Sequence, residues 1–253
     1  MNKLLKVFAI AVILILGGQA MAQNRSAIFL SASFPMKEYA EFDRFYGGYA
    51  LTTKNANEAG ADLGYNVGYK WYLNFGVKGL SVLFSVDGFY NGPTKELKDA
   101  YHIQEGAASG PYGGSFRYSA IPKYVNVPAM LGLNYIYHFN SNLGMYVEAG
   151  AGGNLRFITD MESVTKTTLH SETIQETQDY DNALSFAYQA GIGFEVAKKL
   201  IIGCSFYDLG GAIVSSEHTF KKETLDYEEL TVFPQTYGTI HPIMVLARIG
   251  FTF

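Results

Sequence analysis

Three features are scarce in this sequence: cysteine, charged residues and long apolar runs. The single cysteine, Cys204, excludes an intramolecular disulfide even in an oxidising compartment. Only 17% of the residues are charged, below the usual quarter, and the formal net charge of −4 argues against a nucleic acid as partner. The strongest apolar run, Val7–Leu16, is far shorter than the roughly 20 residues that a membrane-spanning helix needs.

The N-terminal residues have the three parts of a secretory signal peptide. Lys3 and Lys6 form a basic start, Val7–Leu16 is the apolar core, and Ala20-Met21-Ala22 has the small-residue pattern of a cleavage site. An uncleaved membrane anchor is the alternative, which the short core disfavours. We therefore expect Sec-type export, removal of residues 1–22 and a mature domain over residues 23–253, made more acidic by the loss of two lysines.

Apolar and polar side chains alternate along much of the mature chain. In Asp62–Trp71, every second residue is apolar or aromatic, and the residues between them are polar or glycine. Side chains alternate across a β-strand, whereas a helix would mix the two sets on one face. The pattern predicts eight strands, near 27–35, 62–71, 80–91, 124–137, 143–157, 183–196, 200–212 and 240–253. In 200–212 the phase is ambiguous, because the apolar residues there do not alternate cleanly.

The links between these strands alternate in length. The short ones are 72–77, 138–142 and 197–199, and the long polar ones are 36–60, 92–123, 158–182 and 213–239. Short turns at one end and long loops at the other are typical of outer-membrane barrels. The sequence therefore predicts an all-β fold, an eight-stranded antiparallel transmembrane β-barrel integral to a Gram-negative outer membrane. Ten strands, with the extra pair drawn from a long loop, are the alternative.

Aromatic residues gather at the short-link ends of the predicted strands. Such residues form girdles at membrane interfaces, although they also occur in ordinary cores. The proposed interface aromatics are Tyr69, Trp71, Tyr72, Tyr135, Tyr137, Phe139 and Phe194, with Phe251 and Phe253 at the last strand end.

The opposite faces of the strands are polar and rich in glycine, which suits a narrow barrel whose lumen holds only side chains. The inward charges predicted by the alternation are Lys70, Asp87, Glu148, Arg156, Glu195 and Arg248. Isolated charges in a narrow interior are unfavourable, so we expect Arg248 to bridge Glu148 and Glu195 and to close the lumen. The alternative is a set of separately hydrated charges that line a thin pore.

Three segments carry a family resemblance: Arg248–Phe253, Val127–Asn134 and Tyr146–Gly152. On these residues, the mature chain resembles the outer-membrane β-barrel domain family that includes OmpA-type and PorT-type barrels. The resemblance implies that Ile249, Phe251 and Phe253 form the signal for the barrel-assembly machinery. It also implies contact with outer-membrane lipid, lipopolysaccharide and other envelope proteins, and it allows a part in a PorT-type secretion apparatus. It does not identify the task, since function does not follow from fold.

Motifs for catalysis or cofactor binding are lacking. The five histidines have no metal-ligand spacing, and phosphate-loop and dinucleotide patterns are absent. We therefore expect no enzyme, no metal and no cofactor. Aromatic residues of the first long loop have two possible roles: they contact a glycan or a protein, or they pack on the barrel rim. They are Tyr39, Phe42, Phe45, Tyr46 and Tyr49. The expected function is a structural or accessory envelope role, with a small-solute pore as the alternative.

Overall fold

Eight strands of the protein form a closed antiparallel barrel. The computed structural model describes residues 25–40, 59–74, 76–95, 97–99, 115–167, 172–224 and 228–253, so the expected signal peptide lies outside the described residues. The barrel strands are β1 (Arg25–Met36), β2 (Ala61–Asn74), β3 (Leu80–Pro93), β5 (Tyr124–His138), β6 (Leu143–Ile158), β9 (Ala183–Val196), β10 (Leu200–Asp208) and β13 (Ile243–Thr252). The prediction of eight barrel strands is confirmed, and the ten-strand alternative is wrong.

The barrel closes where its first strand meets its last. β1 pairs antiparallel with β13, from Ala27 opposite Thr252 to Met36 opposite Ile243. Beyond that ladder, the backbone N–H of Ser26 donates to the carbonyl of Phe253 at 3.1 Å, and the N–H of Phe253 donates to the carbonyl of Ser26 at 2.9 Å. This pairing leaves no free edge on the barrel.

The alternation in sequence corresponds to an inner and an outer face. Apolar side chains on the outer faces of β1, β2, β5, β9 and β13 are exposed, whereas polar side chains of the opposite phase are buried in the lumen. The structure also resolves the ambiguous phase of β10. Ile201 and Tyr207 face inward and are buried, while Ile202 and Phe206 face outward.

Five further strands form a second sheet, which we call the wall. Its strands are β4 (Ser115–Ala120), β7 (Met161–Thr167), β8 (Glu172–Tyr180), β11 (Ala212–Glu223) and β12 (Glu228–Ile240). Their order is β12-β11-β8-β7-β4. Each directly precedes or follows a barrel strand in the chain, so the wall stands above β13, β10, β9, β6 and β5 at the long-link end.

The wall corrects the expectation that the long links are loops. Segments such as 172–180, with the sequence ETIQETQDY, are extended although both of their faces are largely polar. Hydrophobic periodicity is the main sequence signal for a strand, and it is missing where neither face is buried in an apolar core. Among the described residues, no helix is both long and apolar enough to cross a membrane.

Candidate functional site in the barrel lumen

Four buried charged side chains, each from a different strand, meet inside the barrel. Arg248 of β13 places Nη1 3.1 Å from Oε1 of Glu148 on β6, and Nη2 3.7 Å from Oδ1 of Asp87 on β3. Lys70 of β2 donates to the same Glu148 oxygen. Two cations therefore face two anions, and the charges balance across the lumen.

Aromatic rings fill the space around this cluster. Tyr207 accepts a hydrogen bond from Nη2 of Arg248 at 2.9 Å and donates one to Oδ2 of Asp87 at 3.0 Å. The ring of Phe29 lies 5.1 Å from the guanidinium carbon of Arg248 and 5.3 Å from Nζ of Lys70. Sequence reasoning did not assign Tyr207 to the lumen, because the phase of β10 was ambiguous.

Glycines on β9 and β10 make room for an aromatic ring below the cluster. A Cβ atom on Gly193 would lie 2.3 Å from the carbonyl oxygen of Ile202 and 2.7 Å from Cε1 of Tyr146. A Cβ atom on Gly203 would lie 2.4 Å from the hydroxyl of Tyr146. These distances are shorter than van der Waals contact, so the packing of Tyr146 in the lumen requires glycine at both positions.

Arg156 holds the long-link end of the lumen. Its Nε donates to Oδ1 of Asn126 at 3.1 Å, and its Nη1 and Nη2 donate to the carbonyls of Ile240 and Gly210 at 2.6 and 3.0 Å. Ile240 ends β12, and Gly210 lies between β10 and β11. Arg156 therefore ties the top of the barrel to the base of the wall.

Tyr39 closes the same end from the first long link. It is buried, and its ring packs edge-on against Tyr124 with centroids 5.7 Å apart. Of the two roles considered for the first-loop aromatics, Tyr39 therefore packs on the barrel rim. Phe42, Phe45, Tyr46 and Tyr49 lie outside the described residues.

Glu195 has different partners from those expected. It is bonded to Nη1 of Arg25, and its Oε1 lies 3.5 Å from Nε2 of His138. The expected bridge from Arg248 to Glu195 is replaced by the contact with Asp87. The reason is register, because the residue opposite Arg248 on β10 is Gly203, which in turn faces Gly193. Glu195 is therefore closer to the short-link end, within reach of the first residue of β1.

The aromatic residues proposed for the interface divide between the two faces. Tyr135, Tyr137, Phe139 and Phe194 are exposed on the outside, and Tyr69 and Trp71 are partly exposed there. Tyr72 is a correction: it faces the lumen, with the guanidinium of Arg25 4.9 Å from its ring centroid. It follows Trp71 directly, so strand alternation requires it to point the other way. The proposed assembly-signal residues Ile249, Phe251 and Phe253 lie exposed on the outer face.

The polar contacts in the lumen link strands on different sides of the barrel. Each charged group in it forms hydrogen bonds or ion pairs across the barrel, and rings occupy the space between them. Within the described residues, no group of three or more His, Cys, Asp or Glu side chains could hold a metal ion.

No family model matches the chain, and no curated protein matches it. Among solved structures, it is similar to Ail, the attachment invasion locus protein of Yersinia pestis, at 13% identity and a TM-score of 0.38, over 91% of this chain and 99% of that one. It is also similar to the outer-membrane protein OprG of Pseudomonas aeruginosa, at 11% identity and a TM-score of 0.43, over 91% and 96% of the two chains. A major outer-membrane protein of Thermus thermophilus aligns at 11% identity and a TM-score of 0.26, over 88% and 99%.

Proposed function

We propose that the protein is an integral barrel of a bacterial outer membrane with a closed lumen and a structural or accessory role in the envelope. The observation that carries the membrane location is the outer surface of the barrel. Leu, Ile, Val, Phe and Tyr side chains are exposed on strands around it. Soluble proteins rarely expose apolar patches of more than a few hundred Å², whereas membrane barrels carry an apolar band of about 25 Å.

The lumen favours an accessory role over a solute pore. The cluster of Lys70, Asp87, Glu148 and Arg248 links four strands across the interior, and Phe29 and Tyr207 pack around it. An ion would have to separate paired charges in a medium of low dielectric constant, which is costly. A part in a PorT-type secretion apparatus is one form that such an accessory role could take.

We expect the purified protein to be electrically silent in a planar lipid bilayer, because the lumen is filled. The measurement is single-channel recording in 1 M salt, with a general porin in a parallel bilayer as positive control. Insertion is checked separately in vesicles of the same lipid, by protection of the barrel from protease. Stepwise conductance from inserted wild-type protein would contradict the closed lumen and favour the small-solute pore.

The proposed topology places the wall outside the cell and the short turns in the periplasm. An epitope tag inserted beside Glu223, between β11 and β12, should be reached by antibody on intact cells. Tags beside Asn140 or Lys198, in short turns, should be reached only after the outer membrane is opened. Tags near Ser109 and Ser171, outside the described residues, are expected to behave like the tag at Glu223. Labelling of Asn140 on intact cells would invert the topology.

A further inference from the structure

β12 is an edge strand whose outer half is exposed on both faces. Residues 228–233 are all exposed, and three of them are large and apolar. The exposed fractions are 63% for Leu230, 54% for Val232 and 46% for Phe233. In the register with β11, Leu230 and Val232 lie on one face of the wall and Phe233 lies on the other. A strand exposed in this way has an apolar surface above and below the same backbone edge.

The backbone edge of β12 has a pairing partner on one side only among the described residues. β12 pairs with β11 on one side, and it is the end strand of the wall. Within the part of the chain that the structure describes, no strand pairs with its other side. Because β13 pairs with β1, this unpaired side of β12 lies above β1, which ends at Met36. Such an edge is a template for one more strand.

We propose that the edge of β12 binds an extended segment of another polypeptide by β-strand addition, and that this segment carries basic residues among alternating apolar ones. The proposal rests on the proposed function, because it takes the wall to face the outside of the cell. In this mode of recognition, main-chain hydrogen bonds supply affinity and alternate side chains supply specificity. The apolar side chains of the segment would lie beside Leu230 and Val232 on one face of the wall, and its basic side chains would lie on the other face, which carries Glu229 and Phe233.

The charges at the outer end of β12 indicate a basic partner. Glu228 is paired with Lys221 at 3.1 Å, and Lys222, which is opposite Glu229 in the register, forms an ion pair with Glu172 at 3.1 Å. No ion pair among the described residues includes Glu229. A lysine or arginine on the added strand would face this carboxylate, and opposite charges across strands are favourable.

A second copy of the chain is a poorer occupant. Copies inserted in one membrane have the same orientation, so two facing β12 strands would run in the same direction and present Glu228 and Glu229 at the same height. Like charges in that position are destabilising. In addition, the unpaired side of β12 lies above the mouth of this barrel, and the wall of a neighbouring copy stands on its own barrel. A flexible segment of a different protein meets neither obstacle.

The test uses the full-length mature protein in lipid nanodiscs and two synthetic peptides, (Lys-Val)₄ and (Glu-Val)₄, with blocked ends. Fluorescence anisotropy should show that the basic peptide binds about tenfold more tightly, because Glu229 attracts a lysine of one peptide and repels a glutamate of the other. Equal binding of both peptides, or binding of neither, would overturn the proposal. So would undiminished binding of a (Lys-Val)₄ peptide with every backbone nitrogen methylated, because that peptide cannot pair with an edge.

Variants locate the binding site. Leu230→Lys should weaken binding of the basic peptide about tenfold, whereas Ile213→Lys, at an exposed apolar position on β11, should leave it unchanged. Hydrogen exchange on the free protein should find open-edge amides in 229–233 that exchange fast and become protected by the peptide. Protection of these amides in the absence of peptide, or a dimer that Leu230→Lys dissociates, would show that another segment occupies the edge and would overturn the proposal.

The two proposals can fail separately. If the protein conducts ions but still binds the peptide, only the closed lumen is refuted. If the protein is electrically silent but does not bind the peptide, only the edge site is refuted.

Discussion

Replacing Arg248 by methionine should lower the free energy of unfolding by about 3–5 kcal/mol, the usual effect of removing one partner of a buried ion pair. The side chain of Arg248 contacts Glu148, Asp87 and Tyr207. Methionine fills part of the volume but leaves two carboxylates with only Lys70 as a nearby cation. The destabilisation arises mainly because a buried carboxylate is left without a compensating positive charge, and less because the attraction between Arg248 and the carboxylates is lost. Urea unfolding in detergent micelles, followed by the fluorescence of Trp71, the single tryptophan, measures it.

Two further variants separate this effect from a general effect of losing an arginine. Arg117→Met changes an exposed residue of β4 and should alter stability by less than about 1 kcal/mol. The double variant Arg248→Met with Asp87→Asn should recover part of the loss, because it removes one of the two carboxylates. If Arg248→Met were no more destabilising than Arg117→Met, the lumen charges would be separately hydrated and the closed-lumen proposal would lose its support.

Replacing Gly193 by valine should prevent the barrel from folding. The first added carbon would lie 2.3 Å from a backbone oxygen and 2.7 Å from the ring of Tyr146, so both the β9–β10 ladder and the ring would have to move. Overpacking commonly costs about 1–3 kcal/mol where side chains can shift, and the cost is larger here because a contact with a backbone oxygen cannot be relieved by a change of rotamer. The heat-dependent shift of folded barrels on a denaturing gel is the readout, and it should be lost.

Gly153→Val is the matched control. Gly153 is exposed on β6, and a Cβ atom there would meet nothing within 4 Å. A β-branched residue favours an extended backbone, so this variant should fold and gain about 0.5–1 kcal/mol. Normal folding of Gly193→Val would mean that Tyr146 does not pack against β9 and β10 as described.

The sequence predicts the barrel well because each barrel strand has one face on the outside of the barrel and the other face in the packed lumen. In Asp62–Trp71, one set of side chains faces outward and the other faces a packed lumen, so hydrophobicity alternates strictly. The same alternation indicates that Lys70 and Arg248 point inward, where the structure places them. Alternation shows which face of a strand a residue lies on, but it does not show how far along the barrel axis the residue lies. For this reason it could not identify Arg25 and His138 as the partners of Glu195. Those contacts depend on the register between strands distant in the chain.

The wall was not predictable by the same means. Its strands have polar side chains on both faces, and Thr, Glu and Gln alternate there without a period in hydrophobicity. The pairing of β8 with β11 continues the pairing of β9 with β10 beyond the barrel. The barrel ladder therefore fixes the positions of β8 and β11, without a hydrophobic pattern of their own. In the part of the chain that the structure describes, five of the eight barrel strands continue into the wall, and β12 is its end strand.

The seam between β1 and β13 has a kinetic consequence. It joins the two barrel strands that are farthest apart in the chain, so it closes the longest loop of the fold. We expect this ladder to form last. Until it does, the sheet is open, and Arg248 on β13 stays hydrated and apart from Lys70 on β2. Desolvation and pairing of the lumen charges then occur in the same final step, so that the chain never passes through an intermediate with an unpaired charge enclosed in the lumen.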